Sequence, residues 1–228
     1  MEQYKCYTAD YAPYFTADIN GWKPIIQTQS PRHYKRGSII CQHYGEDQNV
    51  ILIQTGLVSM SFLHESGIER IHFLGSTGYV FGFRSCLSGR PYGGALTAIT
   101  DVSTYKIPSE VVSREMQKNE EFFRFAMFGE YERGMVYSRK LEFLALPTNI
   151  KKVAALLLSM AYRTGHFRDG GTIIPIRMTH ELIAKIIYSD RVSVSRAVSE
   201  LEKRGLIRLR NSEYCILDFV GLTDIVEE

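Results

Sequence analysis

Cysteine is scarce in this 228-residue chain, and its four copies, Cys6, Cys41, Cys86 and Cys215, lie far apart with no Cys-x-x-Cys. That spacing excludes a disulfide scaffold and the usual zinc-finger and iron–sulfur ligand sets. No run approaches the roughly 20 uninterrupted apolar residues that a bilayer-crossing helix needs. The opening MEQYKCYTAD lacks the basic-then-apolar layout of a signal peptide, so the expected location is cytoplasmic, with no membrane partner. The six histidines include no His-x-His or His-x-x-x-His pair, and no nucleophile elbow is present. An enzyme on a β-roll is therefore a remote reading, and His72 reads as an ordinary strand residue. There is no internal repeat and no low-complexity tract.

Apolar residues make up 45% and charged residues 23%, as in an ordinary globular protein. The net charge of +2 implies no partner by itself, but its distribution does. Residues 1–148 are balanced, with 15 basic and 15 acidic side chains, and the excess lies in 149–228. From Arg177 to Arg210, 8 basic residues face 4 acidic ones, a mild bias that fits either polyanion binding or a solvated face.

From Tyr34 to Ile107 the texture is that of strands. Short Val-, Ile-, Thr- and aromatic-rich runs are cut by Gly37, Gly45, Gly56, Gly67, Gly78 and Gly89 at intervals near ten residues. The expected strands are Ser38–Cys41, Val50–Gln54, Leu57–Leu63, Ile71–Leu74, Tyr79–Phe81, Ala95–Ile99 and Ser103–Ile107, with a hairpin turn at 64–67. Strands so spaced predict an antiparallel roll with room inside for one ligand. After Pro108 the residues change to Glu, Lys, Arg, Met and Phe, predicting one long helix from Ser109 to about Leu146. Phe125, Phe128, Tyr131, Met135 and Ser138 recur at steps of three and four. Leu141, Leu144 and Ala145 extend that surface, which suits a helix–helix seam between two copies. Packing on its own roll is the plainer reading. Pro147-Thr148-Asn149 then breaks the helix. The aromatic residues before Tyr34 (Tyr4, Tyr7, Tyr11, Tyr14, Phe15, Trp22) suit a cover over the roll or a contact with the neighbouring domain.

The last third carries the chemistry. A helix from Asn149 to about Arg163 buries Val153, Ala154, Leu156, Leu157 and Met160; a Gly-rich loop and a strand at Thr172–Ile176 follow. Thr179 can cap a helix with a stripe of Leu182, Ile183, Ile186 and Ile187. Ser189 or Asp190 can cap the next, in which Val194, Ala197, Val198 and Leu201 fall at i, i+3, i+4 and i+7 and are expected inside. Arg191, Val192, Ser195, Arg196 and Ser199 lie on another side, slim and basic near the helix start. That is what a helix entering a major groove needs: little bulk, and guanidinium donors for guanine or phosphate. Gly205 stops this helix, and Leu206–Arg210 with Tyr214–Leu217 read as a two-stranded wing around Asn211-Ser212. Arg208 and Arg210 alternate with apolar residues, and with Thr179 and Lys185 they complete the expected DNA-binding set.

β-roll, long helix and winged helix-turn-helix in this order, an α+β architecture, resemble the CRP/FNR superfamily of bacterial transcription regulators over roughly residues 30–220. The resemblance is carried by Arg36-Gly37-Ser38, Gly45-Glu46, Gly56, Gly75-Ser-Thr-Gly78, Phe81-Gly82 and the segment Met178–Arg196. It implies three parts: an effector-sensing cyclic-nucleotide-binding-like roll with its N-terminal segment (1–108), a central dimerisation helix and hinge (109–147), and the DNA-binding domain (148–228). It also implies a homodimer on a palindromic double-stranded DNA operator, RNA polymerase as a partner, and a small-molecule effector that reorients the central helices. Base reading would fall on Arg191, Val192, Ser195 and Arg196, with Val192 in place of the glutamate common there.

Cyclic-nucleotide sensors of the family carry a glutamate after the Phe-Gly pair and an Arg-Ser/Thr pair for the cyclic phosphate. Here Phe83 and Gly93-Gly94 stand in those places. The iron–sulfur branch needs a close N-terminal cysteine cluster, and the haem branch needs ligands where Gly82 and Arg84 stand. No cofactor is expected. What remains is an aromatic pocket of Phe73, Tyr79, Phe81, Gly82 and Phe83, facing Glu130, Tyr131 and Arg133. Aromatic walls plus one cation suit a phenolic molecule. The chain also looks similar to the halophenol-sensing regulators of organohalide respiration, in which a lysine pairs with the phenolate where Arg133 stands. The plainer reading makes these aromatics roll core and Arg133 an ordinary ion pair. A regulator of the same fold whose pocket is closed by its own side chains stays open as the alternative.

Overall fold

The computed structural model describes residues 14–43, 49–90, 93–168, 170–210 and 212–228. Cys6, Tyr4, Tyr7, Tyr11, Gly45-Glu46 and the turn residue Asn211 lie outside them. Contacts divide the chain into two compact units, with the boundary between Val136 and Tyr137.

The first unit, from Tyr14, is built on two sheets. One has the order β1 (Tyr14–Phe15), β6 (Glu69–Gly75), β5 (Val58–Leu63), β8 (Ala95–Ala98), β3 (Ile39–Cys41). The other runs β2 (Arg32–Tyr34), β9 (Val102–Ile107), β4 (Val50–Thr55), β7 (Val80–Phe81). All pairings are antiparallel except β1 with β6, where Tyr14 faces Leu74 and Phe15 faces Gly75. Each of the seven expected strands is present to within two residues. The 64–67 turn closes as expected, the Gly67 N–H donating to the His64 carbonyl at 2.9 Å.

β1 came without a strand signal, because two residues are too short for any alternation to show. It holds an N-terminal arm against the roll: the Ser76 N–H donates to the Phe15 carbonyl and the Ala17 N–H to the Thr77 carbonyl, both at 2.9 Å. Gly78 permits this approach. Its φ is +78°, and a Cβ there would stand 2.2 Å from the Ala17 carbonyl oxygen. The arm continues through a turn at Asn20–Trp22 into α1 (Lys23–Ile26). Trp22 and Ile25 enter a core with Val50, Leu52, Ile107 and Phe122, and the Trp22 ring meets Phe122 edge-on at 5.2 Å. Tyr14, Phe15 and Trp22 of the aromatic N-terminal segment thus pack on the roll.

A short helix, α2 (Phe83–Ser88), follows β7. The single long helix expected from Ser109 is two. α3 (Ser109–Lys118) ends at Asn119, whose backbone is extended (φ −126°, ψ 99°), and α4 (Glu120–Ala145) begins afresh. The asparagine side chain produces the break by serving both ends. Its Oδ1 accepts from the Phe122 N–H at 3.0 Å, and its Nδ2 donates to Glu115 at 3.0 Å. α4 is still 26 residues long, beyond the usual length for a domain interior.

The second unit contains α5 (Asn149–Thr164), α6 (His180–Ile187), α7 (Arg191–Lys203), α8 (Phe219–Glu227) and a sheet of order β10 (His166–Arg168), β11 (Gly171–Ile174), β13 (Glu213–Ile216), β12 (Ile207–Arg210). The wing is therefore half of a four-stranded sheet, β10 lying in what the sequence presents as a loop. α5 is buried from Val153 to Ala161, wider than the five residues its periodicity marks. The reason is that α7, α8 and β11 all pack on it.

Candidate functional site

α6 and α7 are capped as their sequences direct. The Leu182 N–H donates to Thr179 Oγ1 at 3.2 Å, and the Ser193 N–H to Asp190 Oδ1 at 2.8 Å. Hydrogen bonds from Ser193, side chain first and backbone second, hold the Asp190 carboxyl below its usual range. The turn between the helices runs through Tyr188, a non-glycine residue in the left-handed region (φ 59°, ψ 45°). Its ring centroid lies 4.7 Å from Nζ of the buried Lys140 on α4, and that of Phe143 lies 5.1 Å from the same atom. Lys140 Nζ donates to the Ile186 carbonyl at the end of α6. Burial first, and the charge of Lys152 second, pull the Lys140 pKa down to about 7.

α7 sorts its side chains as its period requires. Val194, Ala197, Val198 and Leu201 are buried, whereas Arg191, Val192, Arg196 and Ser199 are exposed and Ser195 is half-buried. Val192 is 59% exposed, an apolar residue left outside at the start of the helix. On β12, Arg210 is exposed and Arg208 half-buried, its guanidinium 3.8 Å from Cys215 Sγ; Lys185 is half-buried on α6.

Between the start of α6 and the wing lies a cleft of about 510 Å³, with Thr179, His180, Arg191, Ser212 and Tyr214 on its walls. Thr179 and Arg191 belong to the expected DNA-binding set; His180, Ser212 and Tyr214 do not, because His180 follows a cap and Tyr214 reads only as strand. The Tyr214 hydroxyl is buried with no hydrogen-bond partner. Burial, then the charge of Glu202, pushes its pKa up, so it stays neutral.

A second cavity, of about 340 Å³, lies in the first unit between the arm, the turn before β7 and α4. Of the expected effector residues it brings together Tyr79, Phe83, Glu130 and Arg133, and adds Phe15, Trp22, Phe125 and Phe128. Phe73, Phe81 and Gly82 are not on its wall. Phe73 is roll core, edge-on to Tyr79 at 4.9 Å. Phe81 points the other way from its neighbour Val80, which does line the cavity, as alternation along a strand demands. At Gly82 (φ +83°) a Cβ would meet the Asn49 carbonyl oxygen at 2.5 Å, so the residue serves backbone packing. Arg133 is engaged: Nη1 donates to the Val80 carbonyl at 3.0 Å and Nη2 pairs with the Glu130 carboxylate. Phe125 and Phe128 carried a seam signal and Trp22 a cover signal; neither pattern shows that both also wall a cavity.

Comparison with known families decides the class. Residues 31–119 match the cyclic nucleotide-binding domain and residues 151–225 the Crp-like helix-turn-helix domain. The chain belongs to the CRP/FNR superfamily. Like that family's members it is a DNA-binding transcription regulator and not an enzyme. It is similar to a global nitrogen regulator of Synechococcus elongatus, 26% identical over 192 residues, which cover 83% of this chain and 86% of that one. It is also similar to the transcriptional regulator SdrP of Thermus thermophilus, 24% identical over 206 residues (89% and 97%). Among solved CRP/FNR folds, FixK2 of Bradyrhizobium japonicum superposes with a TM-score of 0.75 at 20% identity, covering 87% of this chain and 97% of that one. Among the described residues, no helix is long and apolar enough to cross a membrane, and no group of His, Cys, Asp or Glu is placed to hold a metal ion.

Proposed function

We propose that this CRP/FNR regulator works as a homodimer that lays α7 of each copy into a half-site of a palindromic operator, with affinity set by a small aromatic effector and with RNA polymerase as its downstream partner. The observation that carries the DNA-reading part is the division of α7 into a buried apolar face and an exposed face bearing Arg191, Val192, Arg196 and Ser199. Lys185, Arg208 and Arg210 flank it for phosphates, and Thr179 stands at the cleft beside it. Such binding weakens steeply with salt, because each neutralised phosphate releases counterions.

Pairing of two copies is supported by α4, where Phe128 (63%), Tyr131 (61%) and Leu141 (71%) stand in solvent. Large apolar residues repeated along one helix beyond 25 residues suit a seam. Phe128 also lines the 340 Å³ cavity, so an occupant there touches a seam residue directly. That open cavity favours an effector-responsive regulator over one whose pocket is filled by its own side chains. An effector that shifts DNA affinity 100-fold needs about 2.7 kcal/mol of differential binding, within the range of ordinary coupling.

A cyclic nucleotide does not fit the residues present. Buried Phe83 stands where the family's sensors place the glutamate, and Gly93-Gly94 supply no guanidinium for the phosphate. A buried phosphate left without that partner would carry a large desolvation cost. Iron–sulfur and haem dependence are likewise outside this reading, on the cysteine spacing and on Gly82 and Arg84. A phenolate, the anion expected from the resemblance, would have to take Arg133 away from Glu130.

The test is Arg196→Ala, assayed by mobility shift on duplexes selected from random sequence by the unaltered protein. Selective binding is expected to fall roughly 10–100-fold with the dimer intact. Unchanged discrimination between selected and random DNA contradicts the reading role of α7.

A further inference from the structure

We infer that the cavity between the arm and α4 takes an organic amine, an aryl- or alkylammonium ion, and turns anions away. This rests on reading the cavity as the effector site and assigns the charge of its ligand.

The charge around the cavity is one-sided. Its wall carries three carboxylates, Asp18, Glu130 and Glu132, against one guanidinium, Arg133. That guanidinium is spent on the Val80 carbonyl and on Glu130, and the pair is largely buried. Glu132 has no ion pair and no hydrogen bond among the described residues. Asp18, which is exposed, receives the Asn20 N–H at 2.9 Å and the Asn20 amide at 2.7 Å, both on Oδ1, which leaves Oδ2 to solvent or a ligand. Asp18 and Glu132 thus put two carboxylates at the wall outside any ion pair among the described residues, which favours N–H donors over anions.

The rest of the wall fits the same ligand. Phe15, Trp22, Tyr79 and Phe83 line the cavity, and an aromatic ring attracts a positive charge wherever its face is presented. An anion would meet two unpaired carboxylates. The donor it could recruit is Arg133, and removing that from Glu130 leaves a half-buried carboxylate without its partner. The volume, about 340 Å³, is at the small end for ligand pockets and suits a single- or fused-ring amine.

The chain reports on this site itself, because its one tryptophan is Trp22. The experiment titrates the full chain with three probes of matched shape, 2-phenylethylammonium, 2-phenylethanol and 3-phenylpropionate, and follows Trp22 fluorescence with calorimetry in parallel. The ammonium ion is expected to bind about tenfold more tightly than the alcohol, and the carboxylate more weakly than either. Glu132→Gln is expected to narrow the gap between ammonium and alcohol several-fold. A carboxylate that binds as well as the amine, an amine no better than the alcohol, or no response to any probe overturns the inference. DNA affinity measured with the same probes separates the two levels. An amine that binds but leaves DNA affinity unchanged removes the effector reading and keeps the assignment of charge. A carboxylate that binds and shifts DNA affinity does the reverse.

Discussion

Helix α7 takes its two faces from one short stretch of chain, Arg191–Lys203, where a period of 3.6 separates Leu201 and Val198 inside from Arg196 and Val192 outside. The cavity draws its wall from the arm at Phe15, the turn at Tyr79, α2 at Phe83 and the middle of α4 at Arg133. The first arrangement is local and repeats; the second is assembled by β1 pairing with β6 and by Gly78 letting the arm close on the roll. A surface made by one helix can be read off the sequence, whereas a cavity made by four segments needs the fold that joins them.

The largest effect is expected where the local pattern is strongest. Leu201→Ala removes a fully buried side chain from α7 and should cost about 2–5 kcal/mol in urea unfolding of the C-terminal unit. Val192→Ala, on the other face of the same helix, should stay within about 0.5 kcal/mol. Equal losses at the two positions would erase the division between the faces.

A smaller effect concerns Lys140, a buried ammonium that no periodicity announced. Its pKa falls from the ordinary 10.5 to about 7 in the folded protein, by burial and by Lys152. Between those values the unfolded chain binds more protons than the folded one, so stability rises with pH. Below about 7 both forms are protonated and the gain is absent; above 10.5 it is complete. From pH 7 to 8.5 the rise attributable to Lys140 should be roughly 1–2 kcal/mol, and Lys140→Met should flatten it. A slope unchanged in the variant assigns the titration elsewhere.

The roll strands, both capped helices and the buried stripe of α7 were legible because alternation, capping residues and glycines act over a few neighbours. The break at Asn119 was not, since one asparagine that caps α4 and bonds back to Glu115 looks like any polar residue in a helical run. Nor could spacing reveal that Phe73 and Phe81 belong to the roll core while Phe15 and Trp22 wall the cavity. Aromatic residues are inside in either case, and which interior they occupy depends on strand direction and on the arm. The engagement of Arg133 by Glu130 is a similar case: i and i+3 on a helix permit the pair, but only the geometry at Val80 fixes it.

The proposed regulation requires two copies of α7 to read one duplex. The most direct measurement is the stoichiometry of the complex on a selected duplex, combined with groove protection at nucleotide resolution. Two protomers per duplex and two major-groove protections one helical turn apart, about 34 Å or some 10 base pairs, are expected. A single protomer on the duplex, or protection confined to one groove segment, would contradict it.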